Sequence, residues 1–398
     1  MKIKFYYVFR ALILICIAIA MIYYTSESLE SAKVGFKLWA EVVFPSLLPF
    51  FIITDLLISY GIINFLGYFL EPLAKRLFNV NGVGGVVFFL AIAAGFPSGA
   101  KMAVKLYENG EITKDEAERI AAFCNFSSPL FILGAVGVGM FSSYKIGILL
   151  MIIHYVSNAL VGITLGIFSK KIKERNLASR SKKIKISELF FNTAKTNKKP
   201  FGTQMGESVT NSIEILLSIC GFLVLFAVLN TLLNSSGIVN YVAIVFEKLL
   251  NISPAIIQDM STGLLEVTIG VKAISISKTL SIFAKICIAS MLLGFNGFSV
   301  HSQIASILNP AGLSYKPFLY ARILQALYSI ILVLIFWKKA IVNYLAYDVQ
   351  LVYFPLLNDN TQSSSFDYLK LGAMITFFIL FYYCYNFITK NIKAAFHR

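Results

Sequence analysis

Charge is what this sequence has least of. Only 14% of its 398 residues are charged against 58% hydrophobic, and the mean hydropathy is +0.75. Soluble chains carry about 25% charged residues, so this composition excludes a water-soluble enzyme and a disordered or fibrous chain. Histidine is scarce: His154, His301 and His397 form no HExxH pattern and no other ligand cluster. The cysteines Cys16, Cys124, Cys220, Cys287 and Cys384 lie in apolar stretches without CxxC spacing, which leaves neither a metal site nor a disulfide framework. GxSxG and paired-aspartate signatures are missing too, so the sequence predicts no enzyme and implies no metal or cofactor.

What is present is a series of long apolar runs. They are unbroken rather than alternating, which excludes an outer-membrane barrel. The class that remains is an all-α integral membrane protein, with room for about eight to eleven hydrophobic segments at roughly 20 residues per span. The first run, Phe5 to Tyr24, follows Lys2 and Lys4. Its flank Thr25 to Lys33 lacks a small-x-small cleavage site, so it reads as a retained helix with its N-terminus inside. Further segments fall at about 38–60, 62–78, 82–106, 118–140 and 144–168, then 208–233, 237–250, 254–274, 278–300 and 317–337, with a last one at 369–388.

The net charge of +15 is carried by loops. Eleven basic residues stand between Lys170 and Lys199 against only Glu174 and Glu188. No aromatic platform or glycine-rich fold accompanies them, so nucleic acid is not the expected partner. A basic loop retained on the cytoplasmic side, touching anionic lipid, is.

The blocks on either side of that loop repeat one another. Ser59-Tyr-Gly61-Ile-Ile-Asn64-Phe recurs as Ser235-Ser-Gly237-Ile-Val-Asn240-Tyr, and a glutamate, Glu71 or Glu247, follows each glycine by ten residues. Gly99-Ala-Lys101 matches Gly270-Val-Lys272, and Asn125-Phe-Ser-Ser128 matches Asn296-Gly-Phe-Ser299, both at an offset of 171. If 62–78 and 237–250 lie in the interface, and 82–106 and 254–274 enter and turn back, each block crosses three times. The sequence thus predicts about eight transmembrane helices plus re-entrant or broken ones, in two inverted-topology repeats. The boundaries are an N-terminal helix and linker (1–34), a first repeat (35–168), the basic linker (169–207), a second repeat (208–338), and a polar loop with a last helix (339–398). Inverted repeats are a transporter architecture with the site at the repeat interface.

Glycine, proline and ionisable residues interrupt the apolar runs where chemistry is expected. Gly95-Phe-Pro97-Ser98-Gly99-Ala-Lys101 frees backbone groups that a membrane tolerates only against protein or a water-filled cavity. A helix restarting after Pro97 offers free N–H groups to an anion, whereas a plain kink with Lys101 snorkelling is the structural alternative. Asn125, Ser127 and Ser128 can bond a polar solute or a neighbouring helix. The second block offers Glu266, Thr268, Gly270 and Lys272, then Asn296, Ser299 and His301. Intramembrane Glu266 and Lys272 mark a functional site by default, or Glu266 forms an ion pair with a lysine. Glu266 and His301 are the candidates for proton or ion coupling. Glu41 and Asp55 rank lower, and Thr113 is a candidate N-cap ahead of Glu116.

At these residues the chain resembles a known family. Gly95-Phe-Pro-Ser-Gly-Ala-Lys101, Asn125-Phe-Ser-Ser-Pro-Leu-Phe-Ile-Leu-Gly134, Val136-Gly-Val-Gly-Met140, Phe44-Pro-Ser-Leu-Leu-Pro-Phe50 and Gly294-Phe-Asn-Gly-Phe-Ser299 are similar to sporulation integral membrane proteins of the nucleoside-recognition Gate group. That group shares its domain with concentrative nucleoside transporters, ferrous-iron transport proteins and spore maturation proteins. The resemblance covers nearly the whole chain. It implies a multi-pass protein of the outer forespore membrane in a sporulating bacterium. The activity it implies is transport of a small organic anion, dipicolinic acid (dipicolinate), from the mother cell. A nucleoside-like solute, or a non-transporting role in spore-envelope assembly, are the alternatives. Helix N-termini and Lys101 and Lys272 suit carboxylates, and Phe96, Phe126 and Phe298 could stack on a pyridine ring. The second block carries Glu266-Val-Thr where the first has Gly-Phe-Pro, so the halves are not equivalent.

Overall fold

The computed structural model describes residues 2–60, 62–169, 199–250 and 253–337. All of these belong to one compact unit, Met1–Leu345, and the second unit, Ala346–Arg398, lies outside them. The expected helix at 369–388 and most of the basic linker therefore also lie outside the described residues.

Among the described residues the chain is helical throughout, without strands. In order, the helices are α1 (Lys2–Tyr23), α2 (Thr25–Leu38), a π-helical turn (Trp39–Val43), α3 (Phe44–Ser59), α4 (Ile62–Phe78), α5 (Gly82–Ala94), α6 (Ser98–Glu108) and α7 (Lys114–Phe123). A π-helix (Leu130–Met140) and α8 (Tyr144–Phe168) complete the first half. The second half comprises α9 (Phe201–Ser235), α10 (Ile238–Leu250), α11 (Pro254–Leu265), α12 (Val267–Ile276), α13 (Ile282–Phe295), α14 (Gly297–Leu308) and α15 (Lys316–Phe336). Four helical stretches are long and apolar enough to cross a membrane, or up to six if each bent pair counts as one span. The protein is an integral membrane protein of multi-pass type.

Local chemistry explains the boundaries. Asn81 accepts from Gly84 N–H at 3.1 Å to start α5. Thr113 and Glu116 close a reciprocal capping box on α7, as the sequence predicts. Two boundaries differ from expectation. The linker expected up to residue 34 is helical and continues into the first repeat as α2 (Thr25–Leu38), which turns 99° from α1. Helix α9 begins at Phe201 rather than 208, because Pro200 has φ near that of a helix start and Lys199 pairs with Glu207 at 2.7 Å across the first turns.

Three apolar cores hold the unit. One joins α5–α8 to Val300, Ile304 and Leu308 of α14 and to Phe318 and Ala321 of α15. A second joins Ile132 and Val136 of the π-helix and Ile146 and Leu150 of α8 to α12, α13 and Val333 of α15. The halves thus interleave rather than stack as separate lobes. The third core lies between α2–α3 and α9 and takes in Ala94 at the end of α5; there Trp39 Nε1–H also donates to Leu216 O at 2.8 Å. Helix α1 leaves Leu12, Ile15 and Ile22 exposed, surface that acyl chains cover in a bilayer.

Close packing predicts unequal glycine tolerance. A Cβ at Gly99 would overlap the Cys124 carbonyl, whereas one at Gly206 in α9 would meet nothing within 4 Å. Gly99→Ala should abolish recovery of monodisperse protein in detergent. Gly206→Ala should be neutral or stabilising by about 0.5–1 kcal/mol, read from thermal unfolding.

Candidate functional site

Four interruptions divide the helices that the sequence marks, and they interlock in pairs. Helix α5 ends at Gly95, whose φ of +75° is a conformation glycine adopts without strain. The chain turns through Phe96 and Pro97 (a cis pair) and restarts as α6. This hairpin tip is fastened to the unwound stretch between α7 and the π-helix. Phe96 N–H donates to Phe126 O at 2.9 Å. Ala100 N–H donates to Asn125 Oδ1 at 3.1 Å, so Asn125 satisfies one of the free amides at the start of α6. Ser98 Oγ–H donates to Gly95 O.

The second pair is built otherwise. Glu266 stands extended between α11 and α12, and its carboxylate accepts from Ile269 N–H at 2.8 Å, capping α12. Gly270 packs directly on Gly263. Helix α13 ends at Asn296, which takes the left-handed conformation at φ +71° and is followed by Gly297 at +69°. Asparagine tolerates that region better than other side chains bearing a Cβ.

Residues at or next to positions one repeat offset apart meet across the two halves. Asn296 Nδ2–H donates to Asn125 O at 3.4 Å, a sequence separation of 171. Gln325 Nε2 lies 3.3 Å from His154 Nδ1, also 171 apart. Ser329 Oγ–H donates to Ser157 Oγ at 3.0 Å, 172 apart.

A cavity of about 70 Å³ sits against these breaks. The first half contributes Gly95, Phe96 and Ser128 to its wall, and the second contributes Glu266, Thr268, Ser299 and Gln303. Gly95 and Glu266, and likewise Ser128 and Ser299, are equivalent in the repeat. Leu38, Val43, Leu47, Ile219 and Leu223 close it from the α2–α3 and α9 side.

Of the residues singled out from the sequence, Gly95, Ser128, Glu266, Thr268 and Ser299 line the cavity. Pro97, Ser98, Gly99, Asn125, Ser127, Gly270 and Asn296 are buried within the breaks. Three sit elsewhere. Lys101 is half-buried, its Nζ lies 5.5 Å from the centre of the Phe51 ring, and it makes no hydrogen bond. Lys272 is exposed. His301 is buried with both ring nitrogens bonded, Nε2 to Phe295 O at 2.8 Å and Nδ1 to the Tyr315 hydroxyl. Phe96 lines the cavity, Phe126 is buried against Phe88 and Tyr155, and Phe298 is exposed. Asp55 is buried and binds Lys105 Nζ and Ser208 Oγ, each at 2.8 Å.

Sequence reasoning passed over Gln303, His154, Asn158, Gln325 and Arg322. His154 Nε2 accepts from Ser127 N–H at 3.0 Å, and Asn158 Nδ2–H donates to Phe123 O. Arg322 is fully buried and donates to Ala122 O and Asn125 O, each at 2.7 Å, to Asn158 Oδ1 at 2.9 Å, and to Gln325 Oε1. Its signal was a lone cation inside the apolar run 317–337.

These features define a polytopic helical membrane protein with a largely apolar cavity, carrying a few polar side chains, at interlocked helix breaks. The Gate family model, described as nucleoside recognition, matches residues 40–171, which include the first two breaks. The sporulation integral membrane protein YlbJ of Bacillus subtilis (strain 168) is 37% identical over 393 residues, covering 94% of this chain and 95% of that protein. The chain belongs to the YlbJ family of sporulation integral membrane proteins. No solved structure matches it.

Asn125→Ala should lower stability by about 1–2 kcal/mol, by removing the α6 cap and stranding buried donors. Asn125→Asp, which keeps the accepting oxygen, should recover part of the loss in thermal unfolding.

Proposed function

We propose that this chain is a membrane transporter of a small organic anion, dipicolinic acid, carrying it from the mother cell across the outer forespore membrane. The observation that carries the reading is the cavity walled by repeat-equivalent residues at four helix breaks. Broken helices around a cavity between repeats are how secondary transporters hold a solute. An inverted relation with about eight crossings fits this reading. In its support, Val333 of α15 shares a core with Ile146 of α8, while Phe318 shares one with Val161, as antiparallel neighbours would.

Serine, threonine and glutamine side chains offer the solute hydrogen bonds, and Phe96 a ring face. Outward movement of a dianion is favoured by the membrane potential at about 2.3 kcal/mol per charge per 100 mV. Glu266 adds a carboxylate to the wall, so we assign proton or ion coupling to Glu266 rather than to His301, whose ring nitrogens are both engaged. We assign anionic-lipid contact to the basic linker. A nucleoside-like solute is the second reading, favoured by the Gate match and by the absence of a cationic side chain from the described cavity wall.

The test is flux into proteoliposomes of purified protein. Saturable dipicolinate uptake that nucleosides do not compete is expected. Lys272→Ala, at an exposed site, should stay within about twofold of wild type, whereas Ser128→Ala and Ser299→Ala should each raise KM about three- to tenfold. Folded wild-type protein that moves no dipicolinate, with or without an imposed potential, would refute the reading. Competition by nucleosides would transfer it to the second.

A further inference from the structure

The described cavity wall holds one carboxylate, Glu266, and no cation. An anion carrier built this way lacks an obvious source of attraction. We infer that Arg322 supplies it, as a positioning and selectivity-setting residue behind the wall; the inference rests on the transporter reading above.

Arg322 is fully buried in a run of apolar helix. Its charge meets no carboxylate among the described residues: its four hydrogen bonds go to two carbonyl oxygens and two side-chain amides. Its Nε finds no hydrogen-bond partner there either. A buried charge held by neutral dipoles and the face of the Phe318 ring, 5.3 Å away, with no counter-charge among the described residues, is a costly arrangement that an apolar residue would avoid. Inside a membrane such a charge is a functional site by default.

Its placement says which function. The guanidinium reaches from α15, in the second half, to the carbonyls of Ala122 and Asn125 in the first. Asn125 is also the residue whose side chain fastens the α5–α6 hairpin tip and whose carbonyl takes the Asn296 amide. Ser128, three residues on, lines the cavity. One side chain therefore fixes the stretch that presents Ser128 and brings an unneutralised positive charge to the back of that stretch. In a low-dielectric interior a charge is felt well beyond contact distance. Arg322 biases the cavity toward anions without standing among its lining residues. Lys101 and Lys272 are poorer sources, the first lying near Asp55 and Lys105 and the second exposed.

The experiment compares two probes of nearly one shape in the full-length protein: dipicolinate and its neutral diamide, pyridine-2,6-dicarboxamide. Wild type should favour the anion. Arg322→Gln, which keeps a donor but drops the charge, should cut the dipicolinate-to-diamide flux ratio about tenfold or more, chiefly through dipicolinate. Arg322→Lys, which keeps the charge but loses the planar fork, should slow both probes yet hold the ratio within about threefold of wild type. A purely structural arginine would slow both probes equally in both variants, and an unchanged ratio in Arg322→Gln would overturn the inference. If Arg322→Gln does not fold, Arg322→Met, an apolar side chain of similar length, takes its place: a ratio cut about tenfold supports the inference, and an unchanged ratio overturns it. Wild type that carries neither probe defeats the transporter reading, and this inference with it. Wild type that carries both without preference defeats the inference alone.

Discussion

A peptide group released from a helix inside a bilayer must find another partner, and this fold is organised around that demand. The unwound stretch from Cys124 to Pro129 releases several such groups. Their partners arrive from separate elements: His154 and Tyr155 on Ser127, Asn158 on Phe123, Arg322 on Ala122 and Asn125, Asn296 on Asn125, and Phe96 on Phe126. Because each unmet group would cost several kcal/mol in an apolar medium, α5, α8, α13 and α15 converge on one short segment. The cavity is a consequence. The released backbone groups are met by internal partners, while the amide oxygens of Asn296 and Gln303 find none among the described residues.

The two halves meet the same demand with different chemistry. The first caps its restarting helix with an amide from a neighbouring break, Asn125 on Ala100. The second caps its own with a carboxylate from the preceding residue, Glu266 on Ile269. Asn296, the counterpart of Asn125, is thereby released from capping and reaches across to the first half instead. Departure from the repeat at Glu266 thus places a carboxylate on one side of the cavity and frees the asparagine that ties the halves together.

Much of this was legible in the sequence for a physical reason. Glycine, proline, asparagine and glutamate are poor occupants of an apolar helix, so Gly95, Pro97, Asn125, Glu266 and Asn296 announced the breaks, and the offset of 171 announced which of them correspond. Rotation about each helix was less visible. In α12, Val267, Gly270, Val271 and Ile274 form the buried stripe, which turns Lys272 outward on the opposite face. In α6 the buried positions 98, 99, 100, 102, 103 and 106 leave Lys101 and Lys105 together on the remaining face, where Lys105 finds Asp55. A Gly-x-Lys match cannot foretell this, because the inward face is chosen by neighbours distant in sequence. Arg322 escaped notice for a related reason. Its partners are carbonyl oxygens, which carry no sequence signature.

The same accounting indicates where the cavity can open. Its inner wall is a lattice of buried hydrogen bonds between breaks, and parting it would strand donors and acceptors in an apolar interior. Its cover, α2–α3 with α9, has a core of its own and meets the cavity through aliphatic side chains such as Leu47, Ile219 and Leu223. Apolar contacts are non-directional, so they can slide with far less loss than a hydrogen-bond lattice can part. Among the described residues the polar tie from core to cover is Lys105 of α6, which donates to Asp55 and Ser59 of α3, while Asp55 also accepts from Ser208 of α9. A rearrangement that widens the cavity therefore meets least resistance between cover and core. The bonds of Lys105 to Asp55 and Ser59 are the directional interactions such a movement must strain or carry along.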